Sequence, residues 1–179
     1  MYYMHMDNEQ MQQIYNETFA GLTLFYRDVN LPENLISKYQ VGQVIMERGY
    51  TDMSNKGGGA GSSLRYLIAS AHATDMGVFN NNFSKFKLYV LPAGSYFKVL
   101  DIYTVGDKTQ IFLLHVAKQW VEFFKSSISN VEKDIDQTAR HNFDTKVNSP
   151  VNQDLQAPEW TNRLAFPLGM SDEGQMFQE

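Results

Sequence analysis

The glycine-rich segment at residues 57–61 is the first place where this sequence could hold a ligand. Gly57-Gly58-Gly59-Ala60-Gly61 precedes Ser62 and a predicted helix, and backbone N–H groups at a helix start favour anions. A phosphate site would also need a Gly-Lys-Ser/Thr sequence, or G-x-G-x-x-G within a β-α-β unit, and the sequence contains neither. The segment therefore favours a flexible surface loop.

Nucleophilic and metal chemistry have few candidate residues in this chain. The sequence contains no cysteine, which excludes disulfides, thiolate zinc sites and a cysteine nucleophile. The four histidines are far apart and lack metal-ligand spacing, so we predict no metal site; they are His5, His72, His115 and His141. Ser70 and His72 are too close together on one predicted helix to form a catalytic pair, and no G-x-S-x-G sequence occurs.

The composition is typical of a globular protein. Its 179 residues fit one domain with an extension, and 43% hydrophobic residues suffice for a packed core. It carries 15 Lys and Arg against 20 Asp and Glu, and this acidic balance argues against nucleic acid as a partner. No apolar run approaches the roughly 18–20 residues that span a bilayer, and the first residues lack the features of a signal peptide. We expect a cytoplasmic or virion protein that is not secreted by a signal peptide and has no membrane partner.

The elements that must position any site follow an irregular order of helices and strands. Apolar spacing and turn residues predict helices at 8–20, 32–39 and 62–71, and extended segments at 22–27, 42–46 and 49–51. Strand signals then dominate: residues 86–91 precede a Pro-Ala-Gly turn, and residues 96–105 and 109–116 flank Gly106-Asp107-Lys108 as a hairpin. This order predicts an α+β fold.

Three segments, in order, resemble the ADP-ribosyltransferase family, in particular its arginine-serine-glutamate type, which includes phage-encoded members. The segments are Leu24-Phe25-Tyr26-Arg27, the stretch from Tyr39 to Ser54, and the stretch from Leu88 to Val99 with its LPAGSYFKV run. The resemblance covers about residues 22–116. It implies a split β-sheet core with flanking helices, followed here by a helix and an extended C-terminal arm.

The resemblance also implies a set of site positions. Arg27 matches the arginine that holds the NAD phosphates and ribose, and Asp52-Met53-Ser54 matches the Ser-Thr-Ser triplet. Leu88 stands where the family has its catalytic glutamate, and Asp28 follows the arginine where glycine is usual. If NAD binds at all, the resemblance makes Arg27, Thr51 and Ser54 its contacts, with Arg27 and Ser54 near one another at a cleft.

The leucine at position 88 bears directly on catalysis. In the family, the glutamate binds the ribose 2′-hydroxyl and stabilises the positive charge that develops as the nicotinamide–ribose bond breaks. Leucine supplies neither a hydrogen bond nor a charge, so no residue is predicted as catalytic and no cofactor is expected. Arg27 is then expected to form an ion pair with Asp28 or another acid.

Two functions follow from these residues. The first is a structural or adaptor subunit of a larger assembly, such as a phage particle, built on a pseudoenzyme of this family. The alternative is an active mono-ADP-ribosyltransferase that transfers ADP-ribose from NAD to a protein, with Asp52 or Asp101 as a displaced acid.

The C-terminal third of the sequence is predicted to bind other protein subunits. We divide the chain into a domain at 1–116, an amphipathic helix at 117–138 and an extended arm at 139–179. The helix carries an apolar stripe at spacings of three and four residues, and the arm carries scattered apolar residues and three prolines. The predicted partner contacts are Trp120, Phe124, Ile128, Trp160 and Phe166. The rival interpretation has the helix and arm packing on their own domain.

Overall fold

The computed structural model describes residues 7–178. His5 and the first residues, which were expected to lack a signal peptide, lie outside the described residues. Six α-helices and eight strands form within this range. The helices are α1 (Asn8–Thr18), α2 (Glu33–Ile36), α3 (Asn81–Phe86), α4 (Val121–Ser126), α5 (Asn130–Lys146) and α6 (Pro158–Thr161). The strands are β1 (Thr23–Val29), β2 (Val44–Glu47), β3 (Thr51–Ser54), β4 (Leu64–Ser70), β5 (Thr74–Asp75), β6 (Leu88–Leu91), β7 (Ser95–Val105) and β8 (Lys108–Val116).

The eight strands form a sheet that is nearly divided in two. Their order is β2-β7-β8-β4-β1-β3-β6-β5. The first five and the last three strands are joined through β1 and β3, which pair at Tyr26 and Ser54. The predicted α+β class and split sheet are therefore confirmed.

The hairpin of β7 and β8 forms where the sequence predicted it. The two strands pair antiparallel from Tyr96–Val116 to Val105–Lys108, and Gly106 adopts a positive φ of 62° in the turn. Glycine adopts this conformation at no steric cost, which explains the tight connection.

The predicted helix through residues 64–71 is wrong, because this segment is the central strand β4. It pairs antiparallel with β1 and parallel with β8, and all seven of its residues are buried. A strand that is covered on both faces has a nearly continuous apolar sequence, and such a run does not distinguish a buried strand from a helix.

The sheet separates two apolar layers. Phe25, Tyr66 and Leu113 lie in one layer with residues of α2 and the C-terminal segment. Leu67 and Phe112 lie on the opposite face with α1, α4 and α5. Both faces of the centre of the sheet are thus covered by this chain.

The single amphipathic helix predicted at 117–138 is also wrong. A 3₁₀ turn at Lys118–Trp120 leads into α4, Ser127 is extended, and Ser129 caps a separate helix, α5. The cap is a complete capping box with Glu132, so serine residues end one helix and begin the next. The second helix continues to Lys146, eight residues beyond the predicted end.

The segment predicted as an extended arm is folded onto the body of the protein. After α5 it forms two 3₁₀ turns (Gln153–Gln156 and Asn162–Leu164) around α6, and a bridge joins Met170 to Met176. Leu168 and Met170 belong to the same apolar layer as Phe25. The rival interpretation, in which this segment packs on its own domain, describes the structure.

Within residues 7–178, the helices are all too short or too polar to cross a bilayer.

Candidate functional site

Arg27 lies on β1, which is next to β4 at the centre of the sheet, and is completely buried, with 0% of its surface exposed. Its guanidinium donates from Nη1 to the carbonyl of Asp52 at 3.0 Å and from Nη2 to the carbonyl of Phe166 at 3.2 Å. The Phe166 ring covers it, with 4.7 Å between Cζ and the ring centroid. The arginine that the resemblance assigned to NAD is therefore enclosed by this chain.

The expected ion pair between Arg27 and Asp28 does not form. Neighbouring residues on a strand point to opposite faces, and the Asp28 carboxylate instead accepts two bonds from Arg65, at 2.8 and 3.0 Å. Burial lowers the pKa of Arg27, and its Nε has no hydrogen-bond partner. Carbonyl dipoles and an aromatic face thus stabilise this cation in place of a directly paired carboxylate.

A pair of tyrosines fixes the segment that covers Arg27. Tyr39 donates from its hydroxyl to the Leu168 carbonyl at 2.5 Å, and the Leu168 N–H donates to the Tyr66 hydroxyl at 3.1 Å. Burial raises the pKa of both phenols, that of Tyr66 to about 12, so both are neutral near pH 7. Residues 166–168 are consequently held on the sheet by buried hydrogen bonds.

The other positions assigned by the resemblance lie on β3 and β6. Thr51 is buried and its Oγ1 has no partner. Ser54 donates to the carbonyl of Phe86 at 2.6 Å and accepts from the N–H of Lys56 at 3.0 Å. Leu88 is 1% exposed and packs with Phe86, Trp160 and Leu164. Each of these side chains is engaged or enclosed within the fold.

Arg27 does not share a cleft with Ser54 and Leu88. Tyr26 is the residue opposite Ser54, and Ser54 is opposite Leu88, so these three side chains are on one face of the sheet. Arg27 follows Tyr26 and points to the other face, towards Tyr39 and Tyr66. The expectation of one shared cleft is wrong, since it assumed facing side chains where the register places them on opposite faces.

An open cleft of about 490 Å³ lies on the face that carries Leu88. Its lining is mostly apolar, and at one side Arg163 donates to the Asp52 carboxylate at 3.1 Å. Arg163 also lies over the Phe83 ring, at 5.3 Å from the centroid. Sequence reasoning missed Arg163 because it belongs to the segment predicted as a detached arm.

The residues predicted as partner contacts fall into two groups. Phe124 and Trp160 are 0% and 2% exposed and pack inside this chain, so they are not surface anchors. Trp120 is half-buried and donates from its indole to the Glu17 carboxylate at 2.5 Å. Ile128, in the linker between α4 and α5, is 71% exposed, and Phe166 is partly exposed over Arg27.

The structure pairs Ser70 with a different histidine from the one considered in the sequence. Ser70 Oγ lies 2.8 Å from His115 Nδ1, at the ends of the neighbouring parallel strands β4 and β8. Burial lowers the pKa of His115 to about 4, and Ser70 itself is buried. Because a substrate cannot reach an enclosed hydroxyl, this pair has a structural role.

Among the described residues, no group of three or more acidic or histidine side chains could hold a metal.

The glycine loop joins the body to the C-terminal segment. Gly59 donates to the Pro150 carbonyl at 3.1 Å, and Ala60 donates to the Val147 carbonyl at 3.3 Å. Arg65 donates to the carbonyls of Gly58 and Gly59, at 2.9 and 3.1 Å. The loop is therefore bound to protein groups on both sides, and its glycines permit close packing.

Part of this chain is similar in structure to part of several known proteins. No protein-family model matches the sequence, and no curated protein matches it. Among solved structures, the type III effector XopAI of Xanthomonas axonopodis pv. citri is 14% identical, over 57% of this chain and 46% of that chain, with a TM-score of 0.45. The ADP-ribosyltransferase HopU1 of Pseudomonas syringae is 14% identical, over 53% of this chain and 45% of that chain, with a TM-score of 0.48.

A third similar structure is exoenzyme S of Pseudomonas aeruginosa, solved with human 14-3-3 protein beta and carba-NAD. It is 15% identical, over 73% of this chain and 68% of that chain, with a TM-score of 0.49. The chain spans less than half the length of the effector XopAI and of HopU1. The likeness is confined to part of each chain.

Proposed function

We propose that this protein is a non-catalytic domain of the ADP-ribosyltransferase type that acts as a structural or adaptor subunit in a larger assembly. One observation carries the proposal: Arg27 is sealed beneath the C-terminal segment, on the opposite face of the sheet from Leu88. A site that transfers ADP-ribose needs an accessible cation for the phosphates and a carboxylate for the ribose in one cleft. Arg27 is not accessible to a phosphate, and Leu88 is not a carboxylate.

The residues present do not fit NAD. An anionic pyrophosphate would have to displace the Phe166 carbonyl and ring from Arg27, together with the hydrogen bonds that hold residues 166–168. On the other face, Leu88 offers no acceptor for a ribose hydroxyl. We accordingly assign the protein no cofactor.

The alternative, an active mono-ADP-ribosyltransferase, would need an acid from elsewhere. Asp101 accepts two bonds from Arg140, at 2.6 and 2.7 Å, and lies on β7, which β8, β4 and β1 separate from β3. Asp52 lies on the same face as Leu88, but Arg163 binds its carboxylate. Asp52 is thus the acid that an active enzyme would depend on.

The adaptor role rests on apolar side chains that this fold leaves in solvent. Ile128 is one, and Val78 and Phe79 in the turn before α3 are two others that are more than two-thirds exposed. A contiguous patch of such side chains favours contact with other proteins, whereas a single one is common on any protein surface, so photo-crosslinking at Ile128 decides between these two cases. We place the partner contact at Ile128 and Phe166, and the phage-encoded members of the resembled family lead us to propose a virion or the cytoplasm as the location.

Incubation with radiolabelled NAD tests the catalytic half of the proposal. We expect no label on this protein or on added protein substrates above a blank, and no NAD-dependent rise in melting temperature. An active ADP-ribosyltransferase assayed in parallel serves as the positive control. Transfer that is lost in Asp52→Asn but kept in Asp101→Asn would overturn the proposal in favour of the alternative.

Photo-crosslinking tests the adaptor half. A benzophenone amino acid in place of Ile128 should form a discrete adduct with another protein of the producing cell or particle. The same group in place of Lys133, an exposed polar position on α5, is the matched control. Equal adducts at both positions, or none at Ile128, would contradict a specific contact there.

A further inference from the structure

A ladder of charged side chains joins α5 to the sheet. Glu132, Asp136 and Arg140 are spaced four residues apart and so lie along one face of α5. This face meets Lys98 and Asp101 on β7. The contact therefore contains three carboxylates and two cations.

Both cations are already bound to other carboxylates. Lys98 Nζ donates to Glu132 Oε1 at 2.6 Å and to the Ser127 carbonyl at 2.7 Å, and both members of this ion pair are almost fully buried. Arg140 donates to both oxygens of Asp101 in a bidentate pair. Two neutral pairs thus flank Asp136 along the ladder.

Asp136 is the unpaired member of the ladder. Its Oδ1 is buried and has no hydrogen-bond partner. If ionised, it adds a negative charge beside the carboxylates of Asp101 and Glu132, whose cations are engaged. If protonated, it leaves the contact neutral. We propose that Asp136 is a proton-operated latch, which fastens α5 to the sheet when its carboxyl is protonated and loosens it when the carboxyl ionises.

The electrostatics around Asp136 set the latch near neutral pH. Burial, which is the largest cause, and the carboxylates of Asp101 and Glu132 together raise the pKa of Asp136 to about 7, although Arg140 and Lys98 oppose them. An acid whose pKa is higher in the folded than in the unfolded state stabilises the fold fully at pH values below its unfolded pKa, near 4. That contribution is lost as the pH rises through about 7.

Loosening of α5 would reach the C-terminal segment. Phe143, on the same helix, and Val147 pack with Ala60 of the glycine loop. A change at Asp136 is thus coupled to the contact that holds the C-terminal segment on the body.

Thermal unfolding of the full chain between about pH 6 and pH 8.5 tests the latch. Relative to Asp136→Asn, whose amide does not ionise, the wild-type melting temperature should fall by about 3 °C or more across this range, because titration of His115 affects both proteins alike. Asp134→Asn removes the same charge from an exposed position of the same helix and should follow the wild type. A wild type and an Asp136→Asn variant with parallel pH profiles would overturn the proposal.

Carboxyl titration by carbon-13 NMR tests the same inference without a mutation. The Asp136 carboxyl should titrate near pH 7. Amide protection factors within α5, corrected for intrinsic exchange, should fall as Asp136 ionises. A midpoint for Asp136 near 4, or protection in α5 that does not change with its titration, would overturn the proposal even if the variant failed to fold.

Discussion

At the scale of single residues, Arg27 is a buried cation that is bound entirely by groups of its own chain. Its guanidinium binds two backbone carbonyls and an aromatic ring, and these groups come from β3 and from residue 166. A buried cation that cross-links distant parts of a chain is part of the core. Its removal would leave both a cavity and unpaired carbonyl groups.

Arg27→Ala should therefore destabilise the protein severely. We expect a loss of about 3 kcal/mol or more in the free energy of unfolding, from the cavity and the two orphaned carbonyls. Equilibrium urea denaturation measures this loss. Arg163→Ala, which removes a partly exposed arginine, should cost about 1 kcal/mol or less. An Arg27→Ala variant as stable as the wild type would instead point to an arginine that awaits a ligand.

At the scale of elements, the glycine loop is a junction between the strand layer and the C-terminal segment. A Cβ atom placed on Gly59 would lie 1.7 Å from the carbonyl oxygen of Ser149. No side chain fits at that distance, so glycine is required here by the close approach of two backbones. This physical role accounts for the loop without a phosphate.

Gly59→Ala should separate the loop from residues 147–150. We expect a loss of about 3 kcal/mol in the free energy of unfolding, because the added methyl group forces the two backbones apart and breaks the hydrogen bonds between them. Gly61→Ala is the matched control, since its Cβ meets a side-chain atom of Val151 at 3.0 Å that can rotate away. Denaturation curves of the two variants measure the difference, and equal losses would show that the backbone contact is unimportant.

At the scale of the whole molecule, the last third of the chain completes the core. Trp160 and Leu164 pack against Phe86 and Leu88, and Leu168 and Met170 cover the face that contains Arg27. The body therefore cannot bury its apolar surface without this segment.

A chain that ends at Gln137 should fail to fold cooperatively, because it lacks these buried side chains and the end of α5. Circular dichroism and the dispersion of amide NMR signals would report the loss. A chain that ends at Ser171 keeps Trp160, Leu164, Leu168 and Met170, and should unfold in one transition. If the shorter chain instead unfolds cooperatively, the C-terminal segment is a dispensable appendage, and its role in binding partners regains weight.

The sequence by itself determined the local features of this protein. Turn residues and strand-type runs predicted the β7–β8 hairpin and β1, and the helical spacing of apolar residues predicted the first helix. The mixed order predicted an α+β fold, and the split sheet was implied by the resemblance. These signals depend on neighbouring residues and on turn geometry, which a sequence records directly. Leu88, at the position where the resemblance expects a glutamate, could also be identified from the sequence, because this comparison needs no knowledge of packing.

Only the tertiary structure decided which of the candidate site residues share a face of the sheet. The register of β1 against β3 places Arg27 and Leu88 on opposite faces, and a one-residue difference in register inverts every side chain of a strand. Contacts between residues far apart in sequence, such as Arg27 with Phe166, hold the segment that was predicted to be an extended arm against the sheet. Burial on both faces likewise made residues 64–70 a strand, because a long apolar run takes the form that its neighbours impose.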